Sequence, residues 1–164
     1  GEIPAEAVTR AAELAPGRVV MNLAPVIEVP TRVLTAADPL IVNEHEGAEA
    51  LRLLGGSPEG LGEEATVAAL LAAGVPSLVM TLGARGAFVA DASGVRTVPA
   101  ARVRAVDTTG AGDAFVGAVA ARLAAGAGLD EATSYAARFA AGAVLAAGTQ
   151  SSYPQRGATL PELR

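Results

Sequence analysis

Three short stretches of this chain are apolar almost without interruption: Arg18-Val19-Val20-Met21-Asn22-Leu23, Pro39-Leu40-Ile41-Val42 and Ser77-Leu78-Val79-Met80-Thr81-Leu82. A half-exposed strand alternates apolar and polar residues. A continuous run is the mark of a strand covered on both faces, as in a parallel sheet. Helix-length segments separate and follow these runs. Pro4–Ala15 has Val8, Ala11, Ala12 and Ala15 on one face, with Pro4 suited to a first helical position, and stops at Pro16-Gly17. Glu44–Leu54 ends at Gly55-Gly56, and Glu63–Ala73 at Gly74. Leu34–Ala37 reads as a short helical turn, and Gly110–Ala124 and Leu129–Ala147 as two long Ala-rich helices. Ala87–Ala90 and Val95–Val98 pair as a hairpin across Asp91–Gly94. The expectation is a doubly wound, mostly parallel α/β sheet with helices on both faces, forming one domain over residues 1–164. Ligands in this class sit beyond the carboxyl ends of the strands. That directs attention to Asn22, Asn43, Thr81–Gly86 and Asp107–Asp113.

Composition narrows the function. The chain is 51% hydrophobic but only 3% aromatic, without Trp, so its helices pack close to the sheet through Ala and Gly. A net charge of −5 argues against a nucleic-acid surface. With no Cys, neither a disulfide framework nor a Cys-based zinc site can form. No apolar run has membrane-spanning length; Tyr135–Thr149 is too short and Arg138 interrupts it. A cytoplasmic protein is expected. Gly1-Glu2-Ile3-Pro4 reads as the end of a strand entering a helix, as though the chain began inside something larger.

The strongest chemical feature is Asp107-Thr108-Thr109-Gly110-Ala111-Gly112-Asp113-Ala114-Phe115. Gly110 and Gly112 let the backbone turn tightly and approach a ligand. The unpaired amides and dipole at the start of the next helix favour an anion. Asp113 is either an ordinary first-turn carboxylate or the base that takes a hydroxyl proton while that helix start holds the developing charge. Neither Gly-x-x-x-x-Gly-Lys-Ser/Thr nor Gly-x-Gly-x-x-Gly occurs, which excludes a Walker-type loop and disfavours a dinucleotide oxidoreductase. Asn43 and Glu46 form either a capping box or a pair able to order the water shell of magnesium. Between them His45, the only His, is a solvated helix residue. Thr81-Leu82-Gly83-Ala84-Arg85-Gly86 is a tight turn or a nucleotide loop. Gly148–Pro154 is a polar loop that can simply stop a helix.

Taken together, Asp107–Phe115, Asn43-x-x-Glu46 and Thr81–Gly86 resemble, in order and spacing, the motifs of the ribokinase-like (PfkB) carbohydrate kinases. The resemblance covers nearly all of this chain and about the second half of the family's chain. The family's first half, with its β-sheet lid, is not in it. Asn22-Leu23-Ala24-Pro25 and Gly148-x-Gln150-x-Ser152-x-Pro154 look most like the ribose-phosphorylating branch. The resemblance implies an ATP-dependent kinase turning D-ribose into ribose 5-phosphate, or a sibling acting on fructose, another sugar or a nucleoside. A nucleotide-binding fragment inactive by itself is the non-enzymatic alternative. By the same resemblance Asp113 is the base and a substrate contact, and Gly110, Ala111 and Gly112 form the anion hole. Thr81, Leu82, Gly83, Ala84, Arg85 and Gly86 line the ATP site with Gly112 and Asp113, and Asn43 approaches the phosphates. Glu46 helps organise Mg²⁺. Asp107, Thr109, Ala143, Ala146, Gly148 and Ser152 hold K⁺ or a similar monovalent cation, and Glu2 contacts the sugar. A homodimer is expected of the full-length protein. Ala137 departs from the His or Asn that the family often carries near the adenine.

Overall fold

The computed structural model describes residues 3–164. They form two compact units, one running to Leu82 and including Phe88–Arg96, the other made of Gly83–Ala87 and Thr97–Arg164. The first contains α1 (Ala5–Leu14), β1 (Val19–Asn22), α2 (Thr31–Leu34), β2 (Ala37–Asn43), α3 (Glu44–Leu53), α4 (Glu63–Ala72) and β3 (Leu78–Thr81). A hairpin of β4 (Ala87–Asp91) and β5 (Gly94–Val98) completes a five-stranded sheet ordered β1-β2-β3-β4-β5. β1 and β3 both run parallel to β2. In the second unit α5 (Ala111–Ala124) packs against α6 (Leu129–Ala143). The mostly parallel α/β architecture is the one the continuous apolar runs require.

Every residue from Leu40 to Val42 and from Leu78 to Met80 is buried, so neither strand has a solvent face. Leu40, Val42, Leu78 and Met80 join one cluster with Val33, Leu34, Ala50, Leu51, Val67 and Leu70 from the neighbouring helices. The buried residues of α5 and α6 are mostly alanines: Ala114, Ala118, Ala132, Ala136 and Ala143, with Phe115, Val119 and Thr133. Small side chains let these two helices approach closely, as the aromatic-poor composition implies.

Several boundaries differ from the sequence reading, most by a single residue. The short helix lies at Thr31–Leu34, and Ala37 already belongs to β2. The strand therefore carries Pro39 in its interior, where a residue without an N–H usually breaks a ladder. The amide of Leu40 donates to Ser77 on the β3 side at 2.9 Å, so the missing donor of Pro39 faces β1. There the pairing slips, from Val19 opposite Ala37 to Met21 opposite Leu40. Finally, α6 stops at Ala143 rather than Ala147, because the Val144 carbonyl accepts the amides of Val106 and Asp107 at 2.8 and 3.3 Å. Pro4 is the N-cap of α1, one residue before the helix.

Leu78, fully buried in β3, tests this core. Leu78→Ala is expected to lower unfolding free energy by roughly 2–5 kcal/mol in urea denaturation. A loss under about 1 kcal/mol would show that the strand is not packed on both faces.

Candidate active site

In the first unit, Asn43 and Thr81 are register partners at the carboxyl ends of β2 and β3. Parallel pairing thus brings together two residues that the sequence reading had singled out separately. The capping box is present: Asn43 Oδ1 accepts the Glu46 amide at 2.9 Å, and Glu46 Oε2 accepts the Asn43 amide at 2.7 Å. One carboxylate oxygen of Glu46 is therefore committed to starting α3. The Thr81 hydroxyl donates to the Val42 carbonyl at 3.4 Å, and the Leu82 side chain belongs to the hydrophobic core. Asn22 donates through Nδ2 to the Ile41 carbonyl at 3.1 Å. His45 is exposed, as expected of a solvated helix residue.

In the second unit, Gly83–Arg85 forms a single 3-10 turn with all three residues exposed. Gly86 closes it with φ of 98°, and a Cβ there would overlap the Val98 carbonyl. Only glycine fits both demands.

The Asp107–Asp113 loop is organised around backbone donors. Asp107 Oδ1 accepts the Thr109 amide at 2.9 Å, and Oδ2 accepts the Gly148 amide at 3.1 Å. The Thr109 amide and hydroxyl, then the Gly148 amide, hold the Asp107 carboxyl down at a pKa of about 2. Gly110 caps α5 in the left-handed region with φ of 75°. Its carbonyl accepts the Ala114 amide at 2.9 Å and the Tyr153 hydroxyl at 3.0 Å. The Ala111 amide is turned back onto the Thr108 carbonyl at 3.2 Å. The first-turn amides of Gly112 and Asp113 have no acceptor among the described residues, and both residues are exposed. Free N–H groups at a helix start and an exposed carboxylate thus occur on the same turn. The Tyr153 contact had no local signal in the sequence, because it joins residues 43 positions apart.

Beside this loop lie the residues expected to hold a monovalent cation. Ala143 is the last residue of α6, where carbonyls lack helical donors and the dipole is negative. Ser152 donates to the carbonyls of Gly148 and Thr149 at 3.2 and 2.7 Å. An ionised carboxylate and main-chain oxygens of Ala143, Ala146 and Gly148 are the donor chemistry of a hard cation, so this set fits K⁺. Among the described residues no group of three or more His, Cys, Asp or Glu could hold a metal ion. Glu2 lies outside the described residues. Among those described, no helix is long and apolar enough to cross a membrane.

Because the folded pKa of Asp107 is depressed, its stabilising effect is complete above the unfolded value near 4 and is lost as pH falls toward about 2. Asp91 is also held below the usual carboxylate range, by Arg96 and then Ser93, and contributes in the same direction. Asp107→Asn should therefore flatten only part of the acid-side fall in melting temperature between about pH 4 and pH 2. Identical acid profiles for variant and parent would contradict the arrangement.

Comparison with known proteins bears on the family to which the chain belongs. Residues 1–156 match the model of the pfkB family carbohydrate kinases. A ribokinase of Schizosaccharomyces pombe is 38% identical over 128 residues, covering 75% of this chain and 40% of that protein. A deoxyribokinase of Salmonella typhi is 35% identical over 139 residues, 83% of this chain and 44% of that protein. Among solved structures, a Thermotoga maritima ribokinase superposes with a TM-score of 0.87 at 32% identity, over 95% of this chain and 52% of that one. An Arabidopsis thaliana ribokinase complexed with ribose and ATP gives 0.79 at 29% identity, over 94% and 51%. The chain thus spans about half the length of the proteins it matches. From its motifs, its fold and a family match over nearly its whole length, the chain belongs to the pfkB family of carbohydrate kinases.

Proposed function

We propose that the full-length protein transfers the γ-phosphoryl group of ATP to a sugar hydroxyl, with D-ribose as substrate and ribose 5-phosphate as product. The observation that carries this reading is the first turn of α5. The exposed Asp113 carboxylate stands on the same turn as the unpaired amides of Gly112 and Asp113, behind a left-handed Gly110.

Phosphoryl transfer asks a protein for alignment and charge stabilisation more than for covalent chemistry. Asp113 accepts the proton of the attacking hydroxyl, so that the oxygen gains nucleophilic character as it meets phosphorus. The helix start of α5 stabilises negative charge on the transferred group without having to reorganise. The donors are the free amides of Gly112 and Asp113, while the Ala111 amide stays on the Thr108 carbonyl. Asn43 and the Thr81–Gly86 turn take the nucleotide in this reading, and Glu46 has one carboxylate oxygen outside the capping box for a magnesium water shell. Mg²⁺ would supply charge neutralisation on the phosphates when bound, and Asp107 with the carbonyls of Ala143, Ala146 and Gly148 would hold K⁺.

The protein is further proposed to be cytoplasmic and homodimeric when full length. The likeness to a deoxyribokinase supports a sibling reading, in which 2-deoxyribose or another sugar or nucleoside replaces ribose. A panel of ribose, deoxyribose, fructose and nucleosides decides between them. The ribose reading expects the largest kcat/KM for D-ribose, and a tenfold preference for any other substrate would overturn it. The chain by itself, about half the length of its relatives, can also be read as a nucleotide-binding fragment. Calorimetry separates this from an intact kinase, since binding of ADP without binding of ribose favours the fragment.

Asp113→Asn in the full-length protein should lower kcat by about 10²- to 10⁴-fold, the usual worth of a positioned base. Its affinity for ADP should stay within a few-fold of the parent. Near-normal turnover would remove Asp113 from the mechanism.

A further inference from the structure

Tyr153 takes no part in the chemistry proposed above, yet it touches the residue on which that chemistry depends. Its hydroxyl donates to the Gly110 carbonyl at 3.0 Å. The same oxygen accepts the Ala114 amide at 2.9 Å, the first hydrogen bond of α5. Both lone pairs of the N-cap carbonyl are therefore occupied, one by the helix and one by the tyrosine. A peptide unit is planar, so fixing the Gly110 oxygen also fixes the direction of the Ala111 N–H. Glycine with φ of 75° gives no steric resistance of its own to a peptide flip. An outside restraint is needed, and Tyr153 supplies it. A Cβ on Gly110 would lie 3.0 Å from the tyrosine oxygen, so the two residues are also fitted to each other sterically.

The tyrosine is itself held on both sides. Its ring packs edge-on against Phe139 of α6, with centroids 6.2 Å apart. Directly before it, the Ser152 hydroxyl bonds the Gly148 and Thr149 carbonyls. Gly148 in turn donates to Asp107. The loop after α6 thus grips the segment entering α5 at two points, Asp107 before the glycine turn and Gly110 within it.

We propose that Tyr153 is a positioning residue for phosphoryl transfer: its hydroxyl sets the orientation of the Gly110–Ala111 peptide and with it the donors at the start of α5. This rests on the reading of that helix start as the anion hole. Tyr153 touches no reacting atom, so its removal acts on the transition state through Gly110. Substrate affinity should be spared.

The test uses Tyr153→Phe and Tyr153→Leu in the full-length protein. Phe keeps the ring against Phe139 and loses only the hydroxyl. Tyr153→Phe is expected to lower kcat about 3- to 10-fold, the worth of one hydrogen bond, with KM for ATP and for ribose within about twofold of the parent. Parental kcat in Tyr153→Phe, whatever Tyr153→Leu does, would overturn the proposal, because the ring alone would then account for the residue. A second readout needs no turnover. The carbonyl ¹³C resonance of Gly110 should move upfield in Tyr153→Phe, while that of Val144 stays in place. If the parent protein phosphorylates no sugar, the proposed function fails, and this resonance still decides the tether. An unmoved Gly110 carbonyl refutes it.

Discussion

A parallel strand buried on both faces can satisfy its backbone only through its neighbours, and β2 is in that position throughout its apolar stretch. Its amides and carbonyls must find β1 on one side and β3 on the other, because no water reaches them. This demand fixes where polar chemistry can occur. Inside the ladder the side chains from Leu40 to Val42 and from Leu78 to Met80 are wholly apolar. Only where the strands end do Asn43 and Thr81 emerge, opposite each other. The Asn43 side chain then goes straight into capping α3, so the same residue closes the strand and opens the helix.

The second unit answers a similar demand differently. Its helices bury mostly alanine and are linked by Arg122 of α5, which pairs with Glu131 and lies over the Tyr135 ring of α6, while the facing helix ends are ordered by loops. The C-terminal end of α6 and the N-terminal end of α5 leave carbonyls and amides without helical partners. Asp107 joins those two ends by accepting amides from both loops, and the Val144 carbonyl returns the favour by accepting from Val106 and Asp107. The amides that remain free, on Gly112 and Asp113, are the ones a phosphoryl group could use.

What could be read in the sequence follows from this division. The strands were legible because a continuous apolar run leaves little choice, and the capping box because its partners are three residues apart. The turn at Gly110 was legible because glycine spacing is itself the signal. The end of α6 was not, since four further alanine-rich residues fit a helix locally and only the distant amides of Val106 and Asp107 draw the Val144 carbonyl away. Tyr153 was invisible for the same reason. In the loop sequence it is one polar residue among several, and its value lies in a carbonyl 43 positions earlier. The site motif thus announces its own backbone shape but not the groups that brace it.

Pro39 carries a consequence for how the sheet assembles. Between Leu40 and Val42 the side chains of β2 say little about which residue belongs opposite which. Shifted by one position, that stretch would still place aliphatic groups against aliphatic groups, so hydrophobicity alone gives poor register discrimination there. The proline supplies what the aliphatic residues lack. Its nitrogen can face only a place where the neighbour asks for no donor, and the slip between Val19 and Met21 is such a place. An alignment of β1 that set a carbonyl against the same nitrogen would leave that carbonyl without a partner. A residue usually counted as a breaker of sheets here acts as an alignment key, rejecting near-miss pairings that Leu40–Val42 by themselves would tolerate.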